Sequence, residues 1–384
     1  MAHLKPMNKR TVLSALSLLA AILLTSFVFV YRAVAQTTIP IDTTASCTGS
    51  CHTDFFKKKH IHPGASKGTT CVKCHKPVEP NKHAFKPTPA NKSEQCYTCH
   101  DEDEFKGKVT HKPVQAGSCT KCHDPHQSDQ AKLLKKPAPQ LCFGCHDEDE
   151  FKGKVVHGPA AEGKCSSCHR PHVSENKRLL ASTTPELCFG CHAAQLKDAQ
   201  GRMLPATKSL FEDKEAILHP PFKAGKCSGC HQPHASESGR LLGKGYPADF
   251  YARYAKDTYG VCLTCHDSEA FEKPRTLSET DFRNGNLNLH YRHVNRDKGR
   301  SCGACHSPHG SRQPRLIHPT FQFGAKLLAL KYEKTDTGGS CSTACHAPIK
   351  YDRCQPEEVT QKTTPRVGSD ATPEELKQAC EKKK

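Results

Sequence analysis

The pattern C-x-x-C-H, repeated nine times, restricts this chain more than any other feature. It runs from Cys71 and Cys74 to His75, Cys96 and Cys99 to His100, Cys119 and Cys122 to His123, and Cys142 and Cys145 to His146. It continues with Cys165 and Cys168 to His169, Cys188 and Cys191 to His192, and Cys227 and Cys230 to His231. Cys262 and Cys265 to His266, and Cys302 and Cys305 to His306, complete the nine. Two more sites carry one extra residue: Cys47 and Cys51 to His52, and Cys341 and Cys345 to His346. The eleven sites use 22 of the 24 cysteines. A disulfide scaffold does not demand histidine after every second cysteine. A zinc ribbon joins one C-x-x-C to another, and a histidine after each knuckle has no role there. Attachment of c-type haem needs all three residues. Two thiols add to the porphyrin vinyl groups, and the next imidazole becomes the proximal iron ligand.

Fourteen histidines remain, of which His3 belongs to the N-terminal leader. The other thirteen are distal-ligand candidates, and their placement is regular. His126, His172, His234 and His309 follow a proximal histidine by three residues in C-H-x-P-H. His111, His157 and His219 precede an attachment cysteine by eight. His83 stands in for the histidine missing at Val78, and either His60 or His62 fills the upstream role. His290 and His293 compete for one role, and His318 is left for the last site. One from each competing pair gives eleven distal histidines for eleven irons, although the residues alone do not say which serves which. Past the leader only Met203 could offer a thioether, so paired imidazoles and low potentials are expected.

Apolar residues make up 35% of the chain, below the usual 45–50%. A mature chain offering roughly 32 residues per haem cannot close ordinary cores. The fold expected is therefore mostly irregular coil with short α-helices, wrapped around a stacked haem chain, with little or no β-sheet. From His100 to His146 to His192 the period is 46 residues, and "CHDEDEFKGKV" occurs twice. The acidic runs 101–104 and 147–150 read as solvated turns. Repeated two-haem units should stack as in other repeat arrays.

Residues 1–35 read as a signal peptide, with an uncleaved membrane anchor as the alternative: a basic start, an apolar run and small residues before Gln36. Residues 36–353 form the undecahaem region, and 354–384 a tail with a short helix capped by Thr372. The surplus Cys354 and Cys380 should form a disulfide in an oxidising compartment. Net charge is +17, or +13 without the leader's four bases. Eleven haems would bring about −22 in propionates, so the basic balance is met internally and nucleic-acid binding is not indicated.

The C-H-x-P-H units at 119–126, 165–172, 227–234 and 302–309 resemble those of the doubled-CXXCH multihaem c-type cytochromes, over about 47–346. That family includes periplasmic and outer-membrane electron carriers of metal-respiring bacteria. The resemblance implies that both proximal and outlying histidines ligate haem iron. It also implies redox partner proteins, such as an outer-membrane porin or an inner-membrane quinol-oxidising cytochrome. Expected location is the periplasm, with the outer membrane, the cell exterior or an N-terminal anchor as alternatives. Electron transfer in anaerobic or extracellular respiration, without enzyme activity, is the leading expectation; an oxyanion reductase and a haem filament subunit are the alternatives.

Overall fold

One helical turn is the natural length of the attachment pattern. In a computed structural model describing residues 47–66, 70–79, 82–87, 93–198, 201, 203–357 and 370–381, the motif histidine donates its N–H to the first cysteine's carbonyl. The distance is 2.8 Å at His75 and His306, and 3.0 Å at His100, His123, His169, His231 and His266. Closing that i to i−4 ring brings two thiols and one imidazole to one side of the backbone. At Cys47 the extra residue is absorbed by a wider turn, with the His52 N–H donating to Cys47 five residues back, at 3.1 Å. The turns at Cys71, Cys119, Cys165, Cys227 and Cys302 are 3-10. Those at Cys96, Cys142, Cys188 and Cys262 sit in or at the end of short α-helices, the longest Thr184–His192. The leader, residues 1–35, lies outside the described residues. Among those described, no helix is long and apolar enough to cross a membrane.

The chain gathers into two compact units, residues 1–144 with 171–173, and residues 145–170 with 174–384. No apolar side chain before Phe222 is buried among the described residues, and only ten are buried in all. Two-residue antiparallel ladders do the long-range joining instead. In the first unit His60–Ile61 pairs with Gln127–Ser128. In the second, Val155–Val156 pairs with Ala235–Ser236, and Ile217–Leu218 with Gly310–Ser311. Each ladder runs straight into a histidine: His62, His157 and His219 donate their N–H to the carbonyls of His126, His234 and His309, at 2.8, 2.9 and 2.9 Å. His111 donates likewise to His172 at 2.9 Å. His111, His157 and His219 then cap short helices with proline in the first turn, ended by Gly117, Gly163 and Gly225 at φ 62°, 68° and 66°. Glycine carries no Cβ penalty in that left-handed conformation.

The C-terminal part departs from the expectation of little or no β-sheet. Four antiparallel strands form a meander, β1 (Thr320–Phe323), β2 (Lys326–Lys334), β3 (Gly338–Thr343) and β4 (His346–Asp352). The signal is present in "KLLALKYEK", where Leu328, Leu330 and Tyr332 alternate with exposed residues. Phe321, Leu330 and Tyr351 are buried there, and the Tyr332 and Tyr351 hydroxyls meet at 3.0 Å. The last attachment site therefore lies in a hairpin, with Cys341 on β3 opposite Ile349 and His346 opposite Thr343, not on a helical turn.

The tail is tied down as expected. Cys354 and Cys380 form a disulfide. Helix Pro373–Glu381 opens with a capping box: the Glu375 N–H donates to the Thr372 hydroxyl at 3.2 Å, and the Thr372 N–H to the Glu375 carboxylate at 2.8 Å. Leu376 is 4% exposed. Arg283, fully buried, donates Nη1 to the carbonyls of Gly285 and Arg353, while its Nε and Nη2 have no partner. Nη2 of Arg353 reaches the Asp336 carbonyl, so the sheet, the 283–285 turn and the tail converge on two guanidiniums.

Candidate haem-binding site

A second imidazole cannot come from the same C-H-x-P-H segment. Three residues span at most about 10 Å, too little to pass round a porphyrin and return to its iron. The ladders supply what local sequence cannot. In the first unit four pairs of imidazoles face one another, with ring centroids 6.2 Å apart for His52 and His83, and 6.2 Å for His62 and His100. For His75 and His126 the separation is 6.0 Å, and for His123 and His172 it is 5.9 Å. In the second unit five more pairs stand at 6.3 Å (His157 and His192), 6.0 Å (His169 and His234) and 6.2 Å (His219 and His266). The remaining two stand at 6.2 Å (His231 and His309) and 6.4 Å (His290 and His306). Every pair joins a motif histidine to a distal candidate. With metal–nitrogen bonds of about 2 Å, two trans imidazoles put their ring centres roughly 6.3 Å apart, so the spacing fits an iron between them. The interplanar angles, from 10° to 50°, are free to vary about that axis.

The structure places the candidates that the sequence left as alternatives. His62, not His60, faces a motif histidine, while His60 sits in the ladder opposite Ser128. His290 and His293 do not compete. His290 faces His306, and His293, on the same helix (Leu289–Val294), lies in the field of His346. His318, expected to serve the last site, donates its backbone N–H to Cys305 at 2.8 Å, and its ring neighbours His306. His111 and His146 fall in different units.

Burial and local hydrogen bonds prepare these rings as ligands. Desolvation pushes His290 down to about 3, and His293 and His309 down to about 4, so all three are neutral at physiological pH. Nδ1 of His111 and of His157 lies 2.9 Å from the carbonyls of Pro171 and Pro233. Nδ1 of His290 lies 2.8 Å from the Thr280 hydroxyl, and that of His293 lies 2.7 Å from the Leu289 carbonyl. A ring that donates Nδ1–H presents Nε2 as the ligand.

Four phenylalanines back the C-H-x-P-H histidines and were not expected from sequence. Phe55 stands 5.1 Å from His126, Phe105 5.2 Å from His172, Phe151 4.4 Å from His234 and Phe222 4.8 Å from His309. The acidic runs are solvated turns, as expected. Asp101 and Asp147 accept from the Asp103 and Asp149 N–H groups at 2.9 Å, and each turn delivers the phenylalanine that ends it. The phenylalanine of "DEDEF", repeated at one period, was the available signal.

None of the 22 motif cysteines is in a disulfide, and neighbouring sites adjoin through them. The sulfur atoms of Cys47 and Cys71, Cys96 and Cys119, Cys188 and Cys227, and Cys262 and Cys302 lie against one another. In each case the first cysteine of one site meets the first cysteine of the next. Among the described residues, no three His, Cys, Asp or Glu side chains close around a common metal point, as a zinc ribbon would need.

A comparison with curated proteins finds no match. The family model described as "Doubled CXXCH motif" matches five stretches, 62–105, 111–151, 157–197, 219–271 and 293–327. Each stretch begins on one of the distal candidates, namely His62, His111, His157, His219 and His293. Together they span more than half of the chain, which belongs to the doubled CXXCH motif family, the multihaem c-type cytochromes, and so binds haem covalently and transfers electrons.

Proposed function

We propose that this chain carries electrons through eleven covalently held haems, mainly with two imidazoles per iron, in anaerobic or extracellular respiration. The observation that supports it is the set of nine facing imidazole pairs at 5.9–6.4 Å. His83, His126, His62 and His172 would hold the irons of His52, His75, His100 and His123. His234, His157, His309, His219, His290 and His293 would hold those of His169, His192, His231, His266, His306 and His346. His146 carries the remaining haem. Iron cycling between ferric and ferrous states supplies the redox chemistry. The protein's part would be to hold each iron between paired histidines, keep exchangeable water away from it and bring neighbouring attachment sites close through adjoining cysteine pairs. Cleavage after Ala35 into the periplasm, stacking of the rings into one conductor, and partners such as an outer-membrane porin or a quinol-oxidising cytochrome complete the proposal.

A reductase would require an open iron, and paired imidazoles argue for a carrier. Visible and magnetic spectra of the exported protein test the point. The proposal expects the ten irons given two imidazoles to be low-spin, with no carbon monoxide adduct at neutral pH. A high-spin fraction larger than one haem in eleven that binds carbon monoxide or nitrite would overturn the carrier reading in favour of a substrate site.

A further inference from the structure

Among the described residues, eight of the nine non-glycine residues with positive φ fall in four equivalent loops. They are Lys132 and Leu133, Arg178 and Leu179, Arg240 and Leu241, and Arg315 and Leu316, all with φ between 55° and 59°. Left-handed backbone is unfavourable for a residue with a Cβ, and two in succession compound the strain. Strain repeated at one position of every unit calls for a compensating function. In each loop the carbonyl of the first strained residue points at the proximal histidine nine residues earlier. Lys132, Arg178, Arg240 and Arg315 meet Nδ1 of His123, His169, His231 and His306 at 2.8, 3.0, 2.9 and 2.9 Å.

One serine holds each loop in this shape. Ser128, Ser174, Ser236 and Ser311 are 3–8% exposed. Their hydroxyls donate to the carbonyls of Leu134, Leu180, Leu242 and Ile317 and accept the N–H of Gln130, Asn176, Ser238 and Gln313. The loop mouth is closed by the N–H of Lys135, Ala181, Gly243 and His318 donating to the second attachment cysteine at 2.8–2.9 Å. His318 therefore owes its position to this closure. Among the described residues no carbonyl stands in this way against Nδ1 of His100, His192 or His266. For the last two the anchor is on the distal side instead, through His157 with Pro233 and His219 with Pro308.

We propose that Ser128, Ser174, Ser236 and Ser311 are positioning residues. Each clamps a strained loop whose carbonyl takes the Nδ1–H of the proximal imidazole and so lowers the potential of one haem. The inference rests on the haem-binding reading above. A carbonyl acceptor makes the imidazole a stronger donor, which favours ferric over ferrous iron, and fixes the ring's orientation. Replacing the hydroxyl frees the loop from its clamp, and the left-handed pair relaxes away from the ring.

The test uses full-length exported protein with Ser174→Ala and Ser174→Thr, each checked for haem content by intact mass and then titrated potentiometrically. The expected result is full haem content in both, an upward shift of one haem's midpoint in Ser174→Ala, and restoration towards the parent in Ser174→Thr, which keeps the hydroxyl. In Ser174→Ala the paramagnetically shifted Nδ1–H of one histidine should also exchange faster with solvent. If Ser174→Ala loses its haem, Ser128→Ala, Ser236→Ala and Ser311→Ala repeat the test in three other surroundings. Titrations that superimpose on the parent in every variant retaining its haems, or four variants that all lose haem, would overturn the proposal. A parent protein without haem would instead overturn the underlying reading.

Discussion

Between Cys119 and His318 the backbone turns where histidine, cysteine and serine recur at fixed intervals, whereas from Thr320 to Glu381 it follows ordinary polypeptide rules. The first region buries six apolar side chains among those described, three before residue 260 (Phe222, Ala235 and Tyr259) and three after it (Leu287, Val294 and Ala304). Its strands are two residues long and its helices rarely exceed six. The second region has a four-stranded meander, a capped helix over buried Leu376 and a disulfide. The contrast shows what a cofactor does for a fold. Where two imidazoles and two thiols are to be tied to one ring, local turns need only present them. In the second region, which carries a single attachment site in the β3–β4 hairpin, alternation, capping and cross-linking provide the order.

The largest effect expected from that contrast follows from withholding haem. In cells unable to attach it, full-length chain should lose protease resistance throughout 47–318, while peptides from 320–381 remain linked by the Cys354–Cys380 bond. Equal resistance in both regions would erase the distinction. Next comes a single axial ligand. His172→Ala should leave the His123 iron with one imidazole, visible as about one-eleventh of the haem turning high-spin and binding carbon monoxide. His60→Gln and His318→Gln should leave the spin state unchanged, because neither ring faces a motif histidine in the described structure. In the ordinary region, replacing both Cys354 and Cys380 by serine should cost about 3.5 kcal/mol, the value for a loop of this length, read from chemical denaturation followed by tail proteolysis. The haem spectrum should not move. Phe151→Ala should be the smallest change, about 1 kcal/mol of lost apolar burial behind His234, with a measurable shift in one haem's magnetic spectrum.

What was legible in the sequence was whatever is local. Cysteine spacing, the histidine that follows, the Thr372 cap and the surplus cysteine pair all act within one turn or leave one partner. The pairing of His75 with His126, or of His169 with His234, was not legible. It depends on backbone ladders joining segments some 60 to 80 residues apart, such as Val155–Val156 with Ala235–Ser236. The serine loops did leave a trace, a serine five residues past His123, His169, His231 and His306 and then a basic residue with Leu-Leu or Leu-Ile. Strand β2 was missed because its alternation is short and set among exposed lysines, so it reads as coil unless neighbouring strands are known.

The central claim is that covalently tethered porphyrins, gripped by these imidazole pairs, replace an apolar core. Intact mass of the exported protein under denaturing conditions tests it most directly. The account predicts a mass of the chain from Gln36 onwards plus eleven haems that survive denaturation and stay with Cys47 through Cys345. A folded, colourless protein at the mass of the bare polypeptide, with those cysteines joined to one another, would contradict it.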